Sequence, residues 1–195
     1  MHLKETSFVP ASALPLGPFR EHLRLASGFA DTVTEEPLLE QFLRAAIASV
    51  EARTGRALFA RGFELRVSAW RREFAQRLPL APVVAITAVT LVDRAGAPRL
   101  VAPDQYYLDD DAMRPHLRAS GMILPGIPTG GRAEVAFEAG FGPVWPDIPA
   151  DLRQAVLLLA AQYYERRDAG GDMDMTFGVR ALLERWRDVR MGVGG

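Results

Sequence analysis

Residues 141–171 read FGPVWPDIPADLRQAVLLLAAQYYERRDAGG, and this stretch decides the fold. It opens in glycine and proline, runs into an apolar segment, and ends in a charged cluster and two glycines. Pro149 fits the first turn of a helix, Asp147 or Ile148 precedes it, and Asp151 complements the positive end of the helix dipole. Gly170 and Gly171 break the helix, so it is predicted over 149–167. Its centre, Ala155 to Ala161, is an unbroken apolar run. A helix that is apolar all round is a buried helix. The pattern leaves open whether its own chain or a neighbouring subunit covers it.

Working outward, TEEPLLEQFLRAAIASVEARTG is the clearest amphipathic helix, placed over 36–54. Leu39, Phe42, Leu43, Ala46, Ile47 and Val50 follow the spacing of one helical face. Thr34 is a candidate cap, Glu35 and Glu36 suit the dipole, Pro37 is tolerated in a first turn, and Gly55 ends the helix. A shorter helix is predicted from Pro15 to Leu25, ending near Gly28. A last one, over 177–190, carries Val179, Leu182, Leu183, Trp186 and Val189 on one face. Between the helices the period changes to two. FELRVSAW alternates Phe63, Leu65, Val67 and Ala69 against polar neighbours, and RAEVAFEAG alternates Ala133, Val135 and Phe137 against Glu134 and Glu138. VVAITAVTLV, 83–92, is apolar on both faces and reads as a more central strand, and 99–108 reads as its return after the turn DRAGAP. Frequent prolines keep these strands short. The expectation is an α+β fold. Its core is a helical bundle (36–54, 149–167 and 177–190), with a small antiparallel β region inserted at about 56–138.

The chain has 195 residues, 49% hydrophobic and 24% charged, enough for a globular domain with a real core. A formal net charge of −1 argues against a dedicated nucleic-acid binder. The absence of cysteine removes disulfides, thiolate metal sites and cysteine nucleophiles. The N-terminal MHLKETSFVPASALPLGPF is broken by prolines and does not read as a signal peptide. No run approaches the ~20 apolar residues of a membrane span, so a soluble protein made in a cytoplasm is expected.

Catalytic motifs are missing: no phosphate-binding loop, dinucleotide fingerprint, HExxH or GxSxG. His2, His22 and His116 lie far apart in sequence. Asp109, Asp110 and Asp111 form the one carboxylate run. A small hydrolase would use it with His116, but a solvated turn after a strand explains it as well. Glu165 to Asp168 read as a charged helix end, and Trp145 between two prolines as a staple over the core. No catalytic residue, metal site or cofactor is expected.

Several segments recur together in order: EHLRL (21–25), VEARTGRAL (50–58), LPLAPVVAITAVTLVD (78–93), DQYYLDD (104–110), VAFEAGFG (135–142), IPADLRQAVLLLAAQYYERRD (148–168) and GVRALLERWR (178–187). This succession resembles the head–tail connector, or adaptor, proteins of long-tailed phages and phage-derived gene transfer agents. The resemblance implies a structural protein in the neck of a particle, one copy of a cyclic oligomer of about twelve chains, a dodecamer, meeting head to tail. It implies a portal protein above, a tail-side stopper or head-completion protein below, and DNA passing through the ring without sequence-specific binding, with no membrane partner. The domains are then an N-terminal arm (1–13), a connector domain (14–171) and a C-terminal portal-docking segment (172–195). Leu39, Phe42, Ile47, Leu157, Leu158 and Tyr164 are candidates for the subunit interface. Phe177, Leu183, Trp186, Arg187 and Arg190 are candidates for portal binding, since aromatic and arginine side chains dominate interface hot spots. A DNA-binding module of a mobile element is the competing non-enzyme reading.

Overall fold

The computed structural model describes residues 1–23, 32–166 and 175–187, with the backbone alone for 32–35. The chain divides into two compact units. One takes residues 1–8 and 59–141, the other 9–58 and 142–195.

The first unit is built on strands. β1 (His2–Glu5), β2 (Arg61–Val67), β3 (Ala75–Arg77), β4 (Val83–Val92), β5 (Pro98–Leu100), β6 (Tyr106–Asp109), β7 (His116–Ala119) and β8 (Arg132–Ala139) form two antiparallel sheets. The larger has the order β1-β2-β8-β4-β5, the smaller β3-β7-β6. The period-two reading fixes the register. Phe63 faces Phe137, Leu65 faces Val135 and Val67 faces Ala133, and all six are buried. The Phe63 and Phe137 rings stack with centroids 5.7 Å apart. On the other side of β8, Val89 faces Val135 and Leu91 faces Ala133. The polar face is laced by ion pairs, Arg66 to Glu64 and Glu134, and Arg132 to Glu134.

The second unit is helical: α1 (Leu16–His22), α2 (Thr32–Thr54), α3 (Ala150–Glu165) and α4 (Phe177–Leu183), the last continued by one 3-10 turn, Glu184–Trp186. Leu39, Leu43, Ala46 and Val50 of α2 are fully buried, as are Leu152, Ala155, Val156 and Leu159 of α3. Gly55, at φ 67°, ends α2, its N–H donating to the Glu51 carbonyl 2.8 Å away. Thr34 lies inside the helix rather than at its cap. A 3-10 turn, Trp145–Asp147, leads into α3.

These observations correct the expected fold class. The fold is α+β, but its core is not a helical bundle carrying a small β insertion. The strands form an eight-stranded assembly of two sheets with buried apolar residues of its own, and they recruit the N-terminus as β1. The physical reason is the complete alternation in β2 and β8, which gives each strand a whole apolar face to bury. The return strand expected over 99–108 is two strands in different sheets, separated by a 3-10 turn at Pro103. β4 has partners on both edges only over Thr90–Val92, and Val84 is 57% exposed. Among the described residues no helix is long and apolar enough to cross a membrane.

Candidate interaction surfaces

The carboxylate run is tied into local structure. Asp109 pairs with Arg118 across β6 and β7, and that hydrogen bond holds the guanidinium above its ordinary value. The Asp111 carboxylate accepts the backbone N–H groups of Met113 and Arg114, which hold its pKa below the ordinary carboxylate value. His116 faces Asp109 in the register. Among the described residues no three His, Asp or Glu converge as a metal site.

The six interface candidates separate by burial. Leu39 and Ile47 are buried within the chain itself, whereas Phe42, Leu157, Leu158 and Tyr164 are half-buried. Phe42 and Tyr164 meet edge to face at 5.9 Å, and Ser49 and Tyr163 share a hydrogen bond of 3.0 Å, so α2 and α3 are joined along this side. On α3, Gln154 and Glu165 are exposed with Leu157 and Leu158 between them. At helical spacing these residues share one outward side, with two large apolar side chains at its middle. The apolar run therefore meets two demands. Ala155, Val156, Leu159, Ala160 and Ala161 are buried, and Leu157 and Leu158 are left partly open.

The portal-binding candidates also separate. Phe177 is 82% exposed at the start of α4, while Leu183 is fully buried. Trp186 donates its indole N–H to Asp151 at 2.8 Å, with Arg185 stacked 4.6 Å from its ring centroid and 3.2 Å from the same carboxylate. Arg187 pairs with Glu184 at 3.2 Å. Arg190 lies outside the described residues.

One exposed group escaped the sequence reading. Phe74, Met122 and Ile123 stand out from the smaller sheet and its loop, 46%, 89% and 62% exposed. The available signal was composition. MIL is an apolar triplet bracketed by glycine and proline in SGMILPGIP, where periodicity has nothing to count.

The described residues thus leave apolar helix and loop surfaces partly open, while Asp109 is held in an ion pair and Asp111 in a turn. No protein-family model and no curated protein matches the chain. Solved structures do. A chain in the neck of an empty gene transfer agent particle, computed with C6 symmetry, is 53% identical with a TM-score of 0.92; the match covers 100% of this chain and 99% of that one. A chain from the virion of a native gene transfer agent particle is 53% identical with a TM-score of 0.88, at the same coverage. A chain from the neck of a native particle, computed with C12 symmetry, is 49% identical with a TM-score of 0.85, again covering 100% and 99%. The chain belongs to this family of gene transfer agent neck proteins, whose solved members are structural components of the particle.

Proposed function

We propose that the chain is a structural ring component of a particle neck, an adaptor that joins the portal to the tail-side neck proteins and continues the DNA channel. The observation that carries this reading is full-length similarity to chains in gene transfer agent necks, two of them in assemblies computed with six- or twelvefold rotational symmetry. Cyclic symmetry needs two different, complementary surfaces on every subunit. The outward side of α3, around Leu157 and Leu158, is one such surface in this reading, with Phe42 and Tyr164 at its border. The exposed Phe177 serves as an apolar anchor toward the portal, with Arg187, at the far end of the same segment and paired with Glu184, as a second contact. A formal net charge of −1 suits a conduit, because a strongly basic lumen would hold DNA through its phosphates.

The test is removal of the chain from a producing cell, followed by imaging of particles. DNA-filled heads lacking tails are expected, with tails restored by the wild-type chain. Normal tailed particles in its absence would overturn the reading.

A further inference from the structure

The five-stranded sheet ends in two unlike edges. On one side β1 is the outermost strand. On the other, β5 covers β4 only at Thr90, Leu91 and Val92, and the Val101 N–H reaches the Val89 carbonyl at 2.8 Å. Residues 83–88 of β4 therefore have β8 on one edge and no strand on the other. Val84 and Thr87 are exposed there, and Ala85, Ile86 and Ala88 are half-buried. Every pair in the order β1-β2-β8-β4 is antiparallel, so β4 runs opposite to β1. Two charges on the sheet's polar face are also unmatched. Lys4 of β1 is exposed, and Glu138 of β8 is half-buried, facing Gly62 on one side and Ala85 on the other. Among the described residues neither side chain has an ion-pair partner.

We propose that these edges meet between copies of the chain: β1 of one subunit adds to β4 of the next over 83–88, carrying the sheet from subunit to subunit. The proposal rests on the neck reading above. A sixfold or twelvefold ring turns neighbouring copies by only about 60° or 30°, so strand directions are nearly kept. The neighbour's β1 then arrives antiparallel to β4. One register satisfies both faces. It lays Leu3 beside Ile86, continuing the apolar face of Leu65 and Phe137, and Lys4 beside Ala85 on the polar face. The Lys4 and Glu138 backbones are then two strand spacings apart, about 9.6 Å. Both side chains can span that gap across the small Ala85. The bulges at Val84 and Thr87 leave a straight edge only between them, which fixes this register and suits a strand of four residues. The occupant follows from complementarity. A strand from a different protein could cover β4, but it would leave the outer edge of β1 and its Lys4 unmatched. A second copy satisfies both edges and both charges at once, in the head-to-tail manner that a cyclic ring requires.

The chain has no cysteine, so a designed pair reports alone. The test puts Leu3→Cys and Ile86→Cys together in the full chain, in a producing cell, and oxidises purified particles mildly. Within one chain these positions stand three strands apart, about 14 Å, beyond disulfide reach. A ladder of covalent oligomers on a non-reducing gel is expected, and no ladder from either single-cysteine chain. Lys4→Glu or Glu138→Lys, each added to the cysteine pair, should lower the ladder yield about threefold or more, and the two together should restore it. Monomers only, dimers without higher species, or bands only to another protein, from a chain present in the particle, would overturn the strand addition and leave the neck reading intact. A ladder indifferent to both charge variants would overturn the Lys4–Glu138 pairing. A wild-type chain missing from purified particles would overturn the neck reading, and this proposal with it.

Discussion

At the scale of residues, two members of the acidic run DDD that invited a catalytic reading are held in local structure, Asp109 by its ion pair with Arg118 and Asp111 by backbone N–H groups. Asp111 caps the turn that follows β6 by accepting the Met113 and Arg114 N–H groups. Because those bonds favour the ionised form, its folded pKa is depressed, and the turn's stabilisation is present above the unfolded value and lost as pH falls through the folded one. The turn should therefore persist to below the ordinary carboxylate range, about pH 3.9. Asp111→Ala should speed amide exchange at Met113 and Arg114 at pH 6 while leaving the unfolding temperature almost unchanged; Asp111→Asn, which keeps an acceptor oxygen, should not. Unchanged exchange in the alanine variant would show that the turn is held otherwise. Gly140 carries a heavier constraint. Its φ is 136°, and a Cβ there would lie 2.3 Å from the Ala60 nitrogen and 2.4 Å from the Phe59 carbonyl carbon. Gly140→Ala should cost about 2 kcal/mol or more, read by denaturant unfolding, since both the backbone angle and the close approach must give way.

At the scale of elements, α3 separates folding from assembly. Leu159 is fully buried and Leu157 half-buried on the same helix. Leu159→Ala should cost about 2–5 kcal/mol in the isolated chain, and Leu157→Ala clearly less. Leu157→Asp with Leu158→Asp should leave a folded chain by circular dichroism that enters no ring by mass measurement; a ring that forms regardless would remove this side of α3 from the subunit contact. The elements that were legible in the sequence are those whose periodicity is strong. The α2 face at Leu39, Leu43, Ala46 and Val50 is buried as the spacing requires, β4 spans the apolar run 83–92, and β8 alternates as read. What was not legible is short or edge structure. β1 is HLKE, with Leu3 its single apolar residue and so no alternation to count, and it exists because β2 offers it a free edge from Phe63 to Arg66. β3 and β7 have three and four residues, too few to count a period. The interface candidates were chosen by side-chain type along a stripe. A stripe shows which residues leave water, but not whether the chain's own helices or a neighbour covers each of them.

At the scale of the whole molecule, the two units do not depend on the C-terminal segment in the same way. The buried residues of the strand unit, Phe63, Val135 and Phe137 among them, all belong to 1–8 and 59–141. The helical unit includes the segment after Gly171, and Val179 and Leu183 of α4 are fully buried there, with Trp186 bonded to Asp151 of α3. A chain truncated after Gly171 should keep its strand signal in circular dichroism while the helical unit loses several kcal/mol, since two fully buried aliphatic side chains are removed at about 2–5 kcal/mol each. An unfolding transition identical to that of the full chain would mean that α4 adds nothing to the unit. Truncation therefore cannot report on docking, because it disturbs folding first. Phe177 can. Its side chain is 82% exposed, so Phe177→Ala should leave the transition within about 0.5 kcal/mol of wild type. If the ring grips the portal through this end of the chain, loss of an aromatic anchor should cost about 2 kcal/mol or more per contact, repeated around the ring. The expected particle then has a normal complement of the protein in the cell, a ring of the expected mass when purified, and heads without tails. Tailed particles at wild-type frequency from the Phe177→Ala chain would move the portal contact to another surface.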